Sequence, residues 1–317
     1  MPIISGGALR ACFRWIASVL GGTALLWLAG LAGLLALANL VHVDIPAQLA
    51  RKLPLLQSHP RLIFAGESRT EFGVDPLLAA KLLHQAQGYA VNIAYEAGEP
   101  LAVMGAAHAF PEVFRDAHVV LSVAPFNFNE GVRSAAVYPL GVAARLTVPQ
   151  QLATFLPLRL GTLIRYIRSA FAARLADIEG VAIHGPVPAQ GGVLMLNGRA
   201  PDYPNLGRHP HYQGWDISGP RARGAVAAMC ELARLSRKLT VVEPPWIPGD
   251  RSGDAAWLGY EADTLQLLQR AAERCGFRVI NMAAIAGLSA AEYSDEMHVN
   301  QDGMPIYTRA LIERLDP

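Results

Sequence analysis

The chain has 317 residues, of which 52% are hydrophobic and 17% charged. It is too apolar to be disordered and long enough to bury a full core, which points to one main domain plus an appendage. A formal net charge of +1, without clustered Lys and Arg, excludes the electrostatic footprint of a nucleic-acid binder.

The first feature in chain order is an apolar run, Trp15 to Val41, of 27 positions without an Asp, Glu, Lys or Arg. About 20 helical residues cross a bilayer core, so residues 15–43 are read as a transmembrane anchor. Arg10 and Arg14 precede the run and no acidic residue occurs before Asp44. The positive-inside bias then leaves 1–14 as a cytoplasmic N-terminus and exports the rest. Ala36-Leu37-Ala38 offers a signal-peptide alternative, with Asn39 as the mature start, but the run is longer than a signal h-region.

Residues 44–60, Pro-flanked and carrying Arg51 and Lys52, read as a juxtamembrane linker before an exported domain spanning 61–317. Within it, short apolar runs alternate with helical stretches. Strands are predicted at Arg61–Ala65, Ala90–Ala94, His118–Val123, Leu239–Val242 and Phe277–Ile280. Helices are predicted from Pro76, N-capped by Asp75, to about His84, at about Leu101–Phe110, Arg221–Lys238 and Ala255–Cys275, and near Asp302–Leu315. This alternation predicts an α/β fold of three layers, a doubly wound parallel sheet covered on both faces. A helical and Gly/Pro-rich insertion at about 145–220 interrupts it, of a length that suits a lid or a docking surface.

In such a sheet ligands sit beyond the carboxyl ends of the strands. Ser68 follows the first strand through Gly66 and needs a base to become nucleophilic. After the last strand comes Asp295-x-x-His298, in which His298 can serve as that base and Asp295 can fix its tautomer. Glu243-Pro244-Pro245-Trp246 is expected to line the same cleft. Trp246 and Trp257 read as core or rim residues, with sugar stacking as the alternative. His209, His211, Asp202 and Asp216 lack a tight ligand spacing and read as a solvated or sugar-facing loop. Cys230 and Cys275 fall in the exported domain, where pairing is permitted; on separate predicted helices they are expected to be unpaired core residues.

The run Ile63-Phe64-Ala65-Gly66-Glu67-Ser68, together with Asp295-x-x-His298, resembles the first and last sequence blocks of the SGNH (GDSL-like) hydrolases. The resemblance implies a flavodoxin-like sheet, Ser68 as nucleophile and Asp295 and His298 as acid and base. It also implies an oxyanion hole made by the serine amide, Gly98 as the second-block glycine, and Asn127 or Asn129 as the third-block asparagine. No metal or other cofactor is implied. Glu67 stands where the family has aspartate, a departure from the free-standing esterases and lipases.

With the N-terminal anchor, the chain looks more like the membrane-tethered branch. Those proteins work beside membrane-bound O-acyltransferases to acetylate exopolysaccharides or attach D-alanine to cell-wall polymers. That implies a single-pass protein of the bacterial inner membrane, an envelope polysaccharide as substrate and an O-acyltransferase as partner. The reading from another class is a non-catalytic, membrane-anchored carbohydrate-binding or assembly subunit.

Overall fold

A computed structural model describes residues 18–19, 21–30, 32–33, 47–96, 98–131, 212–248, 254–285 and 287–315. Five strands form one parallel sheet: β1 (Leu62–Ala65), β2 (Ala90–Asn92), β3 (His118–Ser122), β4 (Lys238–Glu243) and β5 (Arg278–Asn281). The order is β2-β1-β3-β4-β5, and every pairing is parallel. Succession reverses between β1 and β3, which opens a crevice at their carboxyl ends.

Eight helices of the described residues bear on the argument: α1 (Ala47–Lys52), α2 (Ser68–Gly73), α3 (Pro76–Leu82), α4 (Pro100–Ala109), α5 (Pro111–Asp116), α6 (Pro220–Leu235), α7 (Ala255–Cys275) and α8 (Gly303–Arg314). The period-2 alternation of each strand divides the core in two. In β1, Ile63 and Ala65 join the face covered by α1 and α4–α7, whereas Leu62 and Phe64 join the face covered by α3 and α8. The inner strands β1 and β3 are near-continuous apolar runs because both their faces are buried, whereas the edge strand β5 exposes Arg278 and Asn281.

Several expectations are corrected. The linker of 44–60 is part of the domain over its described length, as α1 followed by a 3-10 helix at Leu53–Ser58. Leu49 and Leu56 are fully buried there, each worth about 1.5–3 kcal/mol of transfer free energy. Lys52 is buried too; it pairs with Glu71 at 2.8 Å and donates to the Ala94 carbonyl. Helices α2 and α5 occupy stretches where the sequence reading placed none. Both are six residues long, too short for a helical periodicity to declare itself.

Cys230 and Cys275 are joined in a disulfide with Cα atoms 5.1 Å apart, contrary to the unpaired reading. Residence on separate helices did not keep them apart, because α6 and α7 pack side by side on one face of the sheet. The bridge spans a sequence separation of 45, for which chain entropy gives about 4 kcal/mol. Cys230→Ser is expected to lower stability by about 2–4 kcal/mol, and reductant should lower the wild-type thermal midpoint while leaving the variant's unchanged. A melt indifferent to reductant would mean unpaired thiols.

Of the anchor, residues 18–19, 21–30 and 32–33 are helical, and the rest of 15–43 lies outside the described residues. Among the described residues no helix is long and apolar enough to cross a membrane. The insertion is described only from Tyr212 onward, so His209, His211 and Asp202 also fall outside.

Candidate active site

The turn that presents Ser68 begins with a glycine for a physical reason. Gly66 adopts φ +111°, and a Cβ placed on it would lie 2.2 Å from the Ser122 carbonyl oxygen. Glu67 then caps α2, its carboxylate accepting from the Arg69 amide at 3.1 Å. The chain after β1 therefore passes directly into the first turn of a helix, and Ser68 is its first residue. Behind it, the buried Asn92 side chain donates to the carbonyls of Thr70 and Val74, holding α2 against the end of β2.

The acid–base residues share one short loop. Tyr293 and Val299 form an antiparallel bridge, and the Ser294 amide donates to the His298 carbonyl at 2.9 Å. Asp295 Oδ1 accepts from the amides of Met297 and His298 at 2.8 Å each. Its carboxylate also takes the His298 Nδ1 contact, at 2.9 Å to Oδ1 and 2.8 Å to Oδ2. Burial alone would raise the Asp295 carboxyl, but the His298 hydrogen bond and charge and these two amides hold it below the ordinary value. It is therefore ionised at neutral pH, and whatever stability it adds is lost only as pH falls below the usual aspartate range.

From that loop His298 reaches Ser68, with Nε2 2.8 Å from Oγ. With Nδ1–H directed at Asp295, Nε2 carries the lone pair that accepts the serine hydroxyl proton. Phe72, one turn along α2, sets its ring edge-on to the imidazole at 5.4 Å between centroids. Residues 230 positions apart thus form a continuous Ser–His–Asp hydrogen-bonded chain at the carboxyl edge of the sheet, the arrangement that activates a serine.

No protein-family model and no curated protein matches this chain.

The oxyanion candidates are placed as follows. Among the described residues nothing accepts the Ser68 amide, one of the first-turn N–H groups that a helix leaves free. Gly98 lies against the Gly66–Ser68 turn so closely that a Cβ would fall 1.8 Å from the Gly66 carbonyl oxygen. Its amide closes a turn onto the Tyr95 carbonyl at 2.9 Å. Asn127 is fully buried after β3; its Oδ1 accepts from the Ala124 amide and its Nδ2 donates to the Gly98 carbonyl at 3.1 Å. Asn129 is drawn elsewhere: its side chain accepts from the amides of Gly131 and Asp216 and donates to the Gln213 carbonyl. Gly98 and Asn127 are therefore neighbours at the crevice, and Asn129 anchors the chain returning from the insertion.

One pair beside the site carries no signal in the sequence. Arg221 at the start of α6 donates Nε to the Asn127 carbonyl at 2.9 Å and Nη2 to Glu99, next to Gly98. Burial raises the Glu99 carboxyl to about 7, against the opposing pull of Arg221; its side chain is 17% exposed. A carboxyl raised in the folded state gives stability that is present at low pH and lost as pH climbs from about 4.5 to about 7. Glu99→Gln is expected to flatten that part of the stability–pH curve, whose slope for one proton is at most about 1.4 kcal/mol per pH unit. Urea melts at pH 4.5, 5.5, 6.5 and 7.5 measure it, and an unchanged slope would refute the assignment.

The tryptophans follow the core reading. Trp246 is 1% exposed and Trp257 fully buried, edge-to-face at 4.4 Å between centroids. Among the described residues no group of three or more His, Cys, Asp or Glu side chains is placed to hold a metal ion.

Proposed function

We propose that this protein is a membrane-anchored serine acyltransferase or esterase of the SGNH type, acting on acetyl or D-alanyl esters of a cell-envelope polysaccharide. The observation that carries the reading is the Ser68 Oγ to His298 Nε2 contact at 2.8 Å, with Asp295 on the far ring nitrogen. Ser68 attacks the ester carbonyl while His298 takes its proton; an acyl-serine forms, and His298 returns the proton to the departing alcohol. A sugar hydroxyl, or water, then enters by the reverse path to collect the acyl group.

The Ser68 amide is the donor we assign to the developing oxyanion, a preorganised donor of this kind being worth about 2.7–4 kcal/mol; the Gly98 amide is committed to the Tyr95 carbonyl, and the Asn127 side chain to the Gly98 carbonyl and Glu99. Two observations favour an exported, tethered protein. A disulfide belongs to an oxidising compartment. Of the six large hydrophobic side chains exposed among the described residues, four are Val19, Leu25, Leu26 and Leu28, as expected of a stretch covered by lipid. A membrane-bound O-acyltransferase is the proposed donor partner.

The test is covalent labelling. Full-length protein in detergent, treated with a fluorophosphonate probe, is expected to gain one adduct, located on Ser68 by peptide mass spectrometry. A folded protein that takes no adduct in detergent and none in native membranes would sink the catalytic reading and favour a binding subunit.

A further inference from the structure

The strand order poses a problem that the hydrogen-bonded triad has to solve. Ser68 follows β1 and the Asp295–His298 loop follows β5, with β3 and β4 between those strands. Three strand spacings amount to about 14 Å, yet Oγ and Nε2 meet at 2.8 Å. One such hydrogen bond is worth only about 1 kcal/mol; the far end of α2 also packs on α8 and Val299, with Thr308 bonded to Gly73 and Asp75, but at the Ser68 end a further link is needed.

The segment leaving β4, Pro244–Ile247, lies between the two halves and is bonded to both. On the nucleophile side Arg69, 2% exposed, donates Nη1 to the Pro244 carbonyl at 3.2 Å and Nη2 to the Val123 carbonyl at 3.3 Å. Its guanidinium stacks 4.0 Å above the centre of the Trp246 ring. Nε is held by Glu67 at 3.0 Å, and Glu67 is 1% exposed. On the acid–base side the Tyr293 hydroxyl donates to the Trp246 carbonyl at 2.8 Å, and the Ile247 amide donates to the Glu296 carbonyl at 3.4 Å.

We propose that Pro244–Ile247 is a brace that sets the distance between Ser68 and His298, with Arg69 and Tyr293 as the positioning residues that grip its two ends. The flanks of the serine explain the chemistry of the grip. Glu67 and Arg69 turn inward while Ser68 faces the crevice, so the ion pair fixes the backbone on either side of the nucleophile. A buried ion pair is weak support for stability; here it ties the turn to the exits of β3 and β4. This inference rests on the serine acyl-transfer reading for its consequence in rate, but not for its geometry.

The experiment therefore reads the two separately, on full-length protein labelled with 15N-histidine, with the His298 signals assigned by His298→Gln. Two variants are compared with wild type and with Ser68→Ala: Tyr293→Phe, which removes one hydroxyl and keeps the ring, and the double variant Glu67→Gln/Arg69→Met, which removes both buried charges together. Both are expected to move the His298 Nε2 resonance toward its position in Ser68→Ala while the Nδ1–H signal to Asp295 persists, because that contact is internal to its loop. Fluorophosphonate labelling is expected to slow about 10-fold in Tyr293→Phe, the equivalent of about 1.4 kcal/mol, through the maximal rate and not the probe concentration at half-saturation.

Variants with wild-type circular dichroism that keep the wild-type Nε2 resonance and labelling rate would overturn the brace. If the double variant does not fold, Tyr293→Phe decides by itself. A wild-type protein that never labels but whose Nε2 signal moves in the variants would overturn the acyl-transfer reading and leave the brace standing.

Discussion

Replacing Ser68 with alanine is expected to lower ester hydrolysis or acyl transfer by roughly 10^6-fold, the scale seen when a serine triad loses its nucleophile. His298→Ala should cost nearly as much, and the double variant no more, because the two groups act as one unit. Asp295→Asn should fall by about 10^4-fold, since the amide can present N–H to Nδ1 and favour the wrong tautomer. Asp295 also accepts two backbone amides that shape its loop, so the asparagine variant needs a fold control. Steady-state rates on p-nitrophenyl acetate and on an acetylated oligosaccharide, with circular dichroism of each variant, provide the measurement. A folded Ser68→Ala protein that keeps most of the wild-type rate would remove Ser68 from the mechanism.

The second large effect concerns the turn itself. Gly66→Ala must carry a side chain at φ +111° and place its Cβ 2.2 Å from the Ser122 carbonyl oxygen. Strain of about 1–3 kcal/mol and a clash of about the same size add to roughly 4 kcal/mol, or about 10 °C in thermal midpoint for a domain of this size. Gly88→Ala separates the two causes: φ is +89°, but nothing lies within 4 Å of its Cβ. It should show strain alone, about 1–3 kcal/mol. Equal midpoints for the two variants would refute the close approach of Gly66 to β3. Gly66→Ala should also fail to take the fluorophosphonate label, since displacement of the turn carries Ser68 with it.

Much of this architecture was legible in the sequence. The inner strands β1 and β3 are short, largely apolar runs buried on both faces of a parallel sheet, and α7 begins and ends where Asp254 and Gly276 cap it. Asp75 and Pro76 mark the start of α3 in the same way. Ser68 and the Asp295–His298 pair could be picked out because residues that follow strands of one parallel sheet share its carboxyl edge. The smallest elements were not legible. Helix α2 is specified by one cap and by Asn92 of β2, and α1 with the 3-10 helix after it by packing of Leu49 and Leu56.

The polar network around the site was illegible for a related reason. Little local distinguishes Arg69 or Arg221 from a surface arginine: apart from Glu67, two positions from Arg69, their partners are carbonyls and a carboxylate 54 to 175 positions away. A buried guanidinium becomes tolerable only once those acceptors surround it. The disulfide was ambiguous likewise, since cysteine spacing does not tell which faces of two helices meet.

What the sequence by itself determined is the strands, the longer helices and the chemistry of the side chains that follow the strands, because strand composition, helix caps and side-chain chemistry are local properties. Only the tertiary structure decided that Ser68 and His298 touch, which asparagine lies beside Gly98, and which charges are buried. Those depend on strand order, and strand order is chosen by packing between segments far apart in the chain.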